Sequence, residues 1–315
     1  FQLIFPARDD DDPALAVARR VAGRYPACDI LILTGCDDRG ASPKVNLLRR
    51  MLPHAKHDVL IISDDCVRLG PQFLRRSLYH FRKPKIGLVF PPYVGRGERN
   101  FGAALENLTL IGLVGVFAPA IRLATGMATV TGKCMIFRRQ ALIDAGGFHA
   151  VRHVAADDQL LTERICRAGW KTWVTREPAH CIHQHWPTPM YLKRHLRWSA
   201  MRARLAKGAY PLEVIFSPVV LAALVAPLDL AAAPLLCAAA CAGRIVVDAA
   251  TLRILRGEFP RLRHALLIPA KDFLLFALWF SPFLNNRLDW RGTLRHIVRQ
   301  TRLATPEAYH RARRW

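Results

Sequence analysis

The run from Val214 to Gly243 is broken by a single charge, Asp229, and apolar residues resume at Ile245 to Val247. A stretch so poor in polar side chains must be buried, in a protein core or in a bilayer, and it divides the chain. Up to about Lys207, charged and apolar segments mix as in a soluble α/β domain. From Val214 onward, apolar stretches alternate with arginine clusters. The 315 residues therefore read as two regions, 1–207 and 208–315, with the boundary near Gly208 to Pro211. The second region reads as a hairpin of two short spans, roughly Val214 to Leu228 and Leu230 to Thr251. The first span falls short of the about 20 residues that a crossing needs, so a tilted or re-entrant pair is expected. His264 to Leu284, which contains Lys271 and Asp272, reads as interfacial or re-entrant, a placement that keeps the basic clusters at its two ends on one face.

Charge supports this division. A net charge of +22, from 46 Lys and Arg against 24 Asp and Glu, calls for a polyanionic surface or substrate. Much of the excess borders the apolar stretches: Arg194, Arg197 and Arg202 before them, Arg253 and Arg261 between them, Arg291, Arg295 and Arg299 after them. Cytoplasmic flanks of membrane proteins have this pattern, so an anionic membrane surface and a catalytic region facing the cytoplasm are expected. A basic patch interleaved with base-stacking aromatics is missing, and no nucleic-acid partner is expected. The eight cysteines form no C-x-x-C pair and read as small core residues of a reducing compartment. The chain opens at Phe1 without a signal-peptide pattern, which leaves open an anchor preceding it.

Within the first region, helix and strand patterns alternate. Pro13 to Tyr25 has the apolar spacing of a helix and Cys28 to Gly35 that of a buried strand. Lys44 to Met51 reads as a helix, and the strand pattern from His57 stops abruptly at Asp64 and Asp65. Pro71 to Phe81 reads as a helix, Lys85 to Val94 as a strand, Arg99 to about Leu123 as a long helix and Ala128 to Arg139 as a strand. Gln140 to Gly146 and Asp157 to Gly169 read as helices, the latter closed by its glycine.

Three acidic or basic groupings could carry chemistry. Asp64 and Asp65 stand at the end of a strand, where open parallel sheets bind ligands, yet such a pair also serves as a helix cap or solvated turn. Asp157 and Asp158 open a helix, where the dipole favours carboxylates in any case. The segment RHLRW, Arg194 to Trp198, on its own would be a basic interfacial helix with an aromatic anchor. His180, His183 and His185 have metal-like spacing, for which a structural or substrate-contacting role is expected.

In order and spacing, these groupings resemble the D, D, D, (Q/R)xxRW pattern of the ceramide glucosyltransferase family. The matching residues are Asp29, Asp64, Asp158, and Arg194 with Arg197 and Trp198. SPKVNLL (Ser42 to Leu48), the GLVFPPYV segment, VTGKCMIFRRQALIDAGGF and LDWRGTLRHIVR are similar to further family segments. The resemblance implies an α/β region of the GT-A, Rossmann-like type, with a mostly parallel sheet flanked by helices and a C-terminal helical membrane region. It implies a UDP-sugar donor, with Asp29 near the uridine and Lys44, Thr131 and Gly132 lining the donor. Asp64, aided by Asp65, would hold magnesium or manganese against the diphosphate.

The resemblance also implies Asp158 as the base that takes a proton from the primary hydroxyl of ceramide or a similar lipid, with inversion at the sugar. Arg194, Arg197 and Trp198 would lie beside the diphosphate and the acceptor. One position departs from the family's frequent D-x-D: Asp64-Asp65 is followed by Cys66, a thiol where a second carboxylate often stands. The alternatives are a hopanoid-type lipid transferase using an N-acetylhexosamine donor, a processive polysaccharide synthase, and a non-catalytic membrane scaffold.

Overall fold

A computed structural model describes residues 1–35, 39–112, 130, 132–205, 208, 210–284, 287–290 and 293–305. The chain opens with β1 (Gln2–Pro6), α1 (Pro13–Arg24), β2 (Asp29–Leu33) and α2 (Pro43–Met51). Asp12 starts α1 by accepting a hydrogen bond from the Ala14 N–H at 2.9 Å, and Pro13 follows where a missing N–H costs nothing. Next come β3 (Val59–Ser63), β4 (Val67–Arg68), α3 (Phe73–Tyr79), β5 (Ile86–Phe90), β6 (Tyr93–Arg96) and α4 (Phe101–Leu110). The stretch expected to prolong this last helix toward Leu123 lies outside the described residues beyond Gly112. β7 (Cys134–Arg138), α5 (Arg139–Asp144), α6 (Asp157–Arg167), β8 (Lys171–Val174), β9 (Ala179–Ile182) and α7 (Thr188–Leu205) complete the first region. The remainder holds α8 (Pro218–Val225), α9 (Ala233–Arg256), α10 (Leu262–Ala265), α11 (Leu267–Trp279) and α12 (Ser281–Leu284). Strands β10 (Arg287–Trp290), β11 (Thr293–Ile297) and β12 (Leu303–Ala304) end it.

These elements cluster into two units that do not follow the expected boundary near residue 208. The first comprises Phe1–Ser63, Leu74–Phe90 and Gly132–Val174, and the second comprises Asp64–Phe73, Pro91–Thr131 and Thr175–Trp315.

In the first unit β1 and β2 pair in parallel, and four further strands form a sheet in the order β3-β7-β5-β8. β7 runs antiparallel to both of its neighbours, while β8 is parallel to β5. The sheet is thus mixed, which corrects the expectation of a mostly parallel one. The chain leaves this unit after Phe90 and returns at Gly132, so no compact helical crossover obliges β7 to run parallel to β5. All five residues of β5 are buried, with Leu88 and Val89 fully enclosed beside Ile136 and Phe137 of β7. The register shifts between Ile86 and Leu88, and a Cβ at Gly87 would lie 2.7 Å from that of Ala141, so only glycine fits this irregularity.

The second unit holds a three-stranded sheet, β4-β9-β6. The single strand expected over Lys85 to Val94 is two strands in two sheets, because Pro91 and Pro92 lack the N–H groups that a continuous ladder requires. Val94 of β6 and Leu108 and Ile111 of the α4 region share a core with Leu252 of α9 and Ile268 of α11. The C-terminal tail, expected as part of a helical region, forms the antiparallel meander β10-β11-β12.

Two helical stretches, Ala233–Arg256 of 24 residues and Leu262–Leu284 of 23, are long and apolar enough to cross a membrane. Only 17% and 22% of their most apolar windows are buried, whereas a core helix of a soluble protein would be mostly enclosed. The interfacial or re-entrant placement expected for residues 264–284 is therefore not imposed by length. Pro218–Leu228 is shorter, and Asp229 beyond it accepts from the N–H groups of Ala231 and Ala232 at 3.0 and 3.1 Å, as expected of a turn between helices. Four buried charges lie within this helical part. Arg244 forms ion pairs with Asp248 and Asp272 at 3.2 and 2.9 Å, and Lys271 pairs with the same two carboxylates at 3.2 and 3.0 Å. Equal numbers of either sign make their burial tolerable.

Candidate active site

In the first unit, α2 carries Lys44 in its first turn. Its start is fixed by the Ser42 N–H donating to the Arg152 carbonyl at 3.0 Å and by Asn46 Nδ2 donating to the Gly40 carbonyl at 2.8 Å. Lys44 Nζ donates to the Gly132 carbonyl at 2.6 Å. The N–H of the same glycine donates to Asp158 Oδ2, and Asp158 Oδ1 accepts from the Gln159 N–H at 2.8 Å. Three residues far apart in sequence, Lys44, Gly132 and Asp158, are thereby brought together through the backbone of one of them, Gly132.

Asp158 sits in the first turn of α6, beside the positive end of the helix dipole. Burial nevertheless raises its pKa above the ordinary value, against the opposing pull of the Lys44 ammonium and of the backbone donors at Gln159 and Gly132. A carboxylate whose proton affinity is raised in this way suits a general base. The adjoining glycine is obligatory for it: a Cβ at Gly132 would stand 2.9 Å from that of Asp158. Gly132→Ala is expected to displace the carboxylate and lower turnover about 10-fold to 100-fold, with unfolding temperature little changed. Steady-state rates and thermal melts of the variant check this, and full activity would contradict the close packing. Thr131, expected beside Gly132, lies outside the described residues.

Asp64 and Asp65 follow β3 in a turn closed by the Val67 N–H donating to the Asp64 carbonyl at 3.1 Å. Asp64 is half-buried and Asp65 exposed, and the Cys66 carbonyl is tied to β9 through the Ile182 N–H at 2.8 Å. Among the described residues, no three His, Cys, Asp or Glu side chains gather around a common point. Magnesium and manganese are commonly held by one or two carboxylates together with substrate phosphates. The oxygen donors of Asp64 and Asp65 fit an ion that arrives with a diphosphate, and the softer Cys66 sulfur does not.

Asp29 is the first residue of β2, at the opposite end of its strand from the carboxyl end where sheets of this kind bind ligands. It is exposed and pairs with Lys56 at 2.7 Å.

In the second unit the RHLRW segment lies within α7. Arg194 Nη1 bonds Glu106 Oε1 at 2.6 Å and His195 Nε2 bonds Glu106 Oε2 at 3.0 Å. The Arg194 guanidinium also covers the rings of Trp186 and Trp198, at 4.9 and 5.2 Å from their centres. Arg194 is therefore engaged by protein partners, while Arg197 and Trp198 are half-buried on the same helix. Glu106 is wholly enclosed. Desolvation would raise its pKa, but the His195 hydrogen bond and the charge of Arg194 outweigh it and bring the value down to about 2.

Neither Glu106 nor Trp186 had been singled out from sequence. The signal was there for Glu106, a carboxylate amid the apolar helix FGAALENLTL, which must find a partner. The histidine group divides: Arg96 Nε donates to His180 Nδ1 at 3.0 Å, and His183 Nδ1 meets Asn107 Oδ1 at 3.1 Å.

Comparison with known proteins agrees with the family resemblance. The chain is 22% identical to ceramide glucosyltransferase 3 of Caenorhabditis elegans over 206 residues, covering 64% of this chain and 44% of that protein. It is 22% identical over 209 residues to ceramide glucosyltransferase 1 of the same organism, covering 64% and 43%. A shorter match of 87 residues at 32% identity, 24% of this chain and 16% of the relative, is to the ceramide glucosyltransferase of Candida albicans. The chain thus spans less than half the length of these relatives. Among solved structures, S. aureus TarS 1-349 in complex with UDP-GlcNAc aligns over 96% of this chain and 89% of its own, with 12% identity and a TM-score of 0.39. The family profile described as glycosyl transferase family 21 matches residues 1–303, nearly the full length, and the chain belongs to that family.

Proposed function

We propose that the protein transfers a hexose from a UDP-sugar to the primary hydroxyl of ceramide or a similar membrane lipid, with inversion at the anomeric carbon. The observation that carries this reading is the Asp158 carboxylate, held by the Gly132 and Gln159 N–H groups with its proton affinity raised. The acceptor oxygen bonds to the anomeric carbon as its proton passes to Asp158. The bond from that carbon to the diphosphate oxygen breaks, and its electron pair leaves with UDP. Attack on the face opposite the leaving group inverts the configuration.

The charge of Lys44 favours the ionised form of Asp158, while burial raises the carboxylate's affinity for the proton it is to accept. Asp64, with Asp65 beside it, would hold a magnesium or manganese ion, which when bound supplies neutralising charge for the departing diphosphate. Arg194 positions α7 through Glu106, and Arg197 and Trp198 of the same motif would lie beside the diphosphate and the acceptor. Asp29, exposed and paired with Lys56, would lie near the uridine. The two apolar helices hold the protein at the cytoplasmic face of a membrane, beside its acceptor.

The test is to incubate membranes with separately labelled UDP-sugars and ceramide, extract the lipid, and determine product mass and anomeric configuration. An inverted hexosylceramide is expected, lost when chelator removes divalent cations and restored by magnesium or manganese. Asp64→Ala is expected to abolish that cation-dependent product. No labelled lipid from any donor in either cation would overturn the assignment, and an N-acetylhexosamine on a polyol lipid would redirect it to the hopanoid-type reading.

A further inference from the structure

The turn from Gly257 to Arg261 joins the two stretches long enough to cross a bilayer. Within the second unit, a cavity of about 320 Å³ opens between this turn and the Gly97–Arg99 loop that follows β6. Its carboxylates are already engaged. Glu98 Oε1 receives both terminal nitrogens of Arg256 at 3.2 Å, Glu98 Oε2 accepts from Asn107 at 2.7 Å, and Glu258 accepts from Arg256 Nε at 3.0 Å. Two further cavity residues, Arg99 and Arg261, are exposed, and their side chains make no hydrogen bond or ion pair among the described residues. With Arg256 and Arg96, the latter 3.9 Å from Glu258, balancing the two acids, the remaining charges of the cavity are two open guanidinium forks, and these match phosphoryl oxygens.

The surroundings specify the source of that anion. Phe259 is 67% exposed in the cavity wall, and Leu262 and Leu266 on the adjoining helical stretch are 76% and 63% exposed. Side chains of this kind are unfavourable in water around a site for a free ion, and favourable against acyl chains. We propose that the cavity binds the phosphoryl headgroup of an anionic phospholipid, with Arg99 and Arg261 on the phosphate oxygens and the exposed apolar side chains against its tails. The proposal rests on the reading that the two apolar stretches enter a bilayer, and is independent of sugar transfer.

The test uses the full chain reconstituted with phosphatidylcholine alone or mixed with phosphatidylglycerol, followed by native mass spectrometry of retained lipid. The wild type is expected to retain phosphatidylglycerol in preference to phosphatidylcholine. R99Q/R261Q is expected to lose this retention by about tenfold or more, given roughly 1 kcal/mol for each cation near a membrane surface. R19Q/R24Q, which removes the same charge from exposed positions on α1, is expected to keep it. Equal loss in both double variants would reduce the effect to overall charge and overturn the site. Displacement of the lipid by inorganic phosphate would assign the cavity to the free anion instead. Failure of the wild type to enter phosphatidylcholine vesicles would overturn the bilayer reading itself, a result separable from lost headgroup preference.

Discussion

Asp158→Asn is expected to lower lipid glycosylation by about 10²-fold to 10⁴-fold while leaving UDP-sugar binding nearly unchanged. Asparagine keeps the shape of the side chain and one acceptor oxygen, so one of the two backbone N–H groups, of Gly132 and Gln159, keeps its bond and the side chain stays in place. What disappears is the capacity to take up a proton. Titration calorimetry of the donor alongside turnover separates the two effects, and near-normal turnover would remove Asp158 from the chemistry. The wild-type rate should also fall in acid, because a protonated base cannot accept. With its pKa raised, that decline begins at a higher pH than for an ordinary aspartate, whose value is 3.8. Replacing Lys44 with methionine removes the opposing positive charge and should move the decline higher still.

The second large effect concerns stability. Glu106→Gln is expected to destabilise the fold by about 3–5 kcal/mol, the usual consequence of removing one partner from a buried ionic group. Arg194 and His195 would both lose the carboxylate that fixes them. A double-mutant cycle with Arg194→Gln checks the pairing: melts should show the two changes to be strongly non-additive. Additive losses would mean that Arg194 draws its stability from elsewhere. In acid the same group weakens the fold. Glu106 is ordinarily near 4.5 and held down to about 2, so its contribution is complete above 4.5 and disappears as pH falls toward 2. Burial lowers the pKa of His195 below 6.5, so that its neutral form is favoured and stability begins to decline as pH falls below that value. Glu106→Gln should flatten the lower part of this acid dependence.

Local periodicity made several elements readable. α1, β2, α2, β3 and α6 all have apolar spacing that repeats within one element, and the C-terminal glycine predicted for α6 is present as Gly169 with φ of +87°. Short elements escaped notice. β8 and β9 have four residues each, too few for a period, and β1 precedes the first clear helix. The Pro91-Pro92 break was visible, but only pairing partners reveal that β5 and β6 join different sheets. At the candidate site, order along the chain points to Asp158, while the link from Lys44 to it through Gly132 requires a fold. Likewise Glu106 lies 88 residues from Arg194, and no spacing rule joins a carboxylate in one helix to a guanidinium in another at that separation.

The second unit is assembled from three separated stretches of chain. Val94, Leu108 and Ile111 complete their core only when Leu252 and Ile268 arrive, long after the strands and helix that carry them have been made. Synthesis from the amino end therefore leaves this apolar surface waiting for its cover, and the strand and helix that bear it must mature together with the C-terminal helices. Recombination that exchanges either part at residue 208 would cut through a hydrophobic interior, so descent in such a protein favours gradual change of side chains over shuffling of modules.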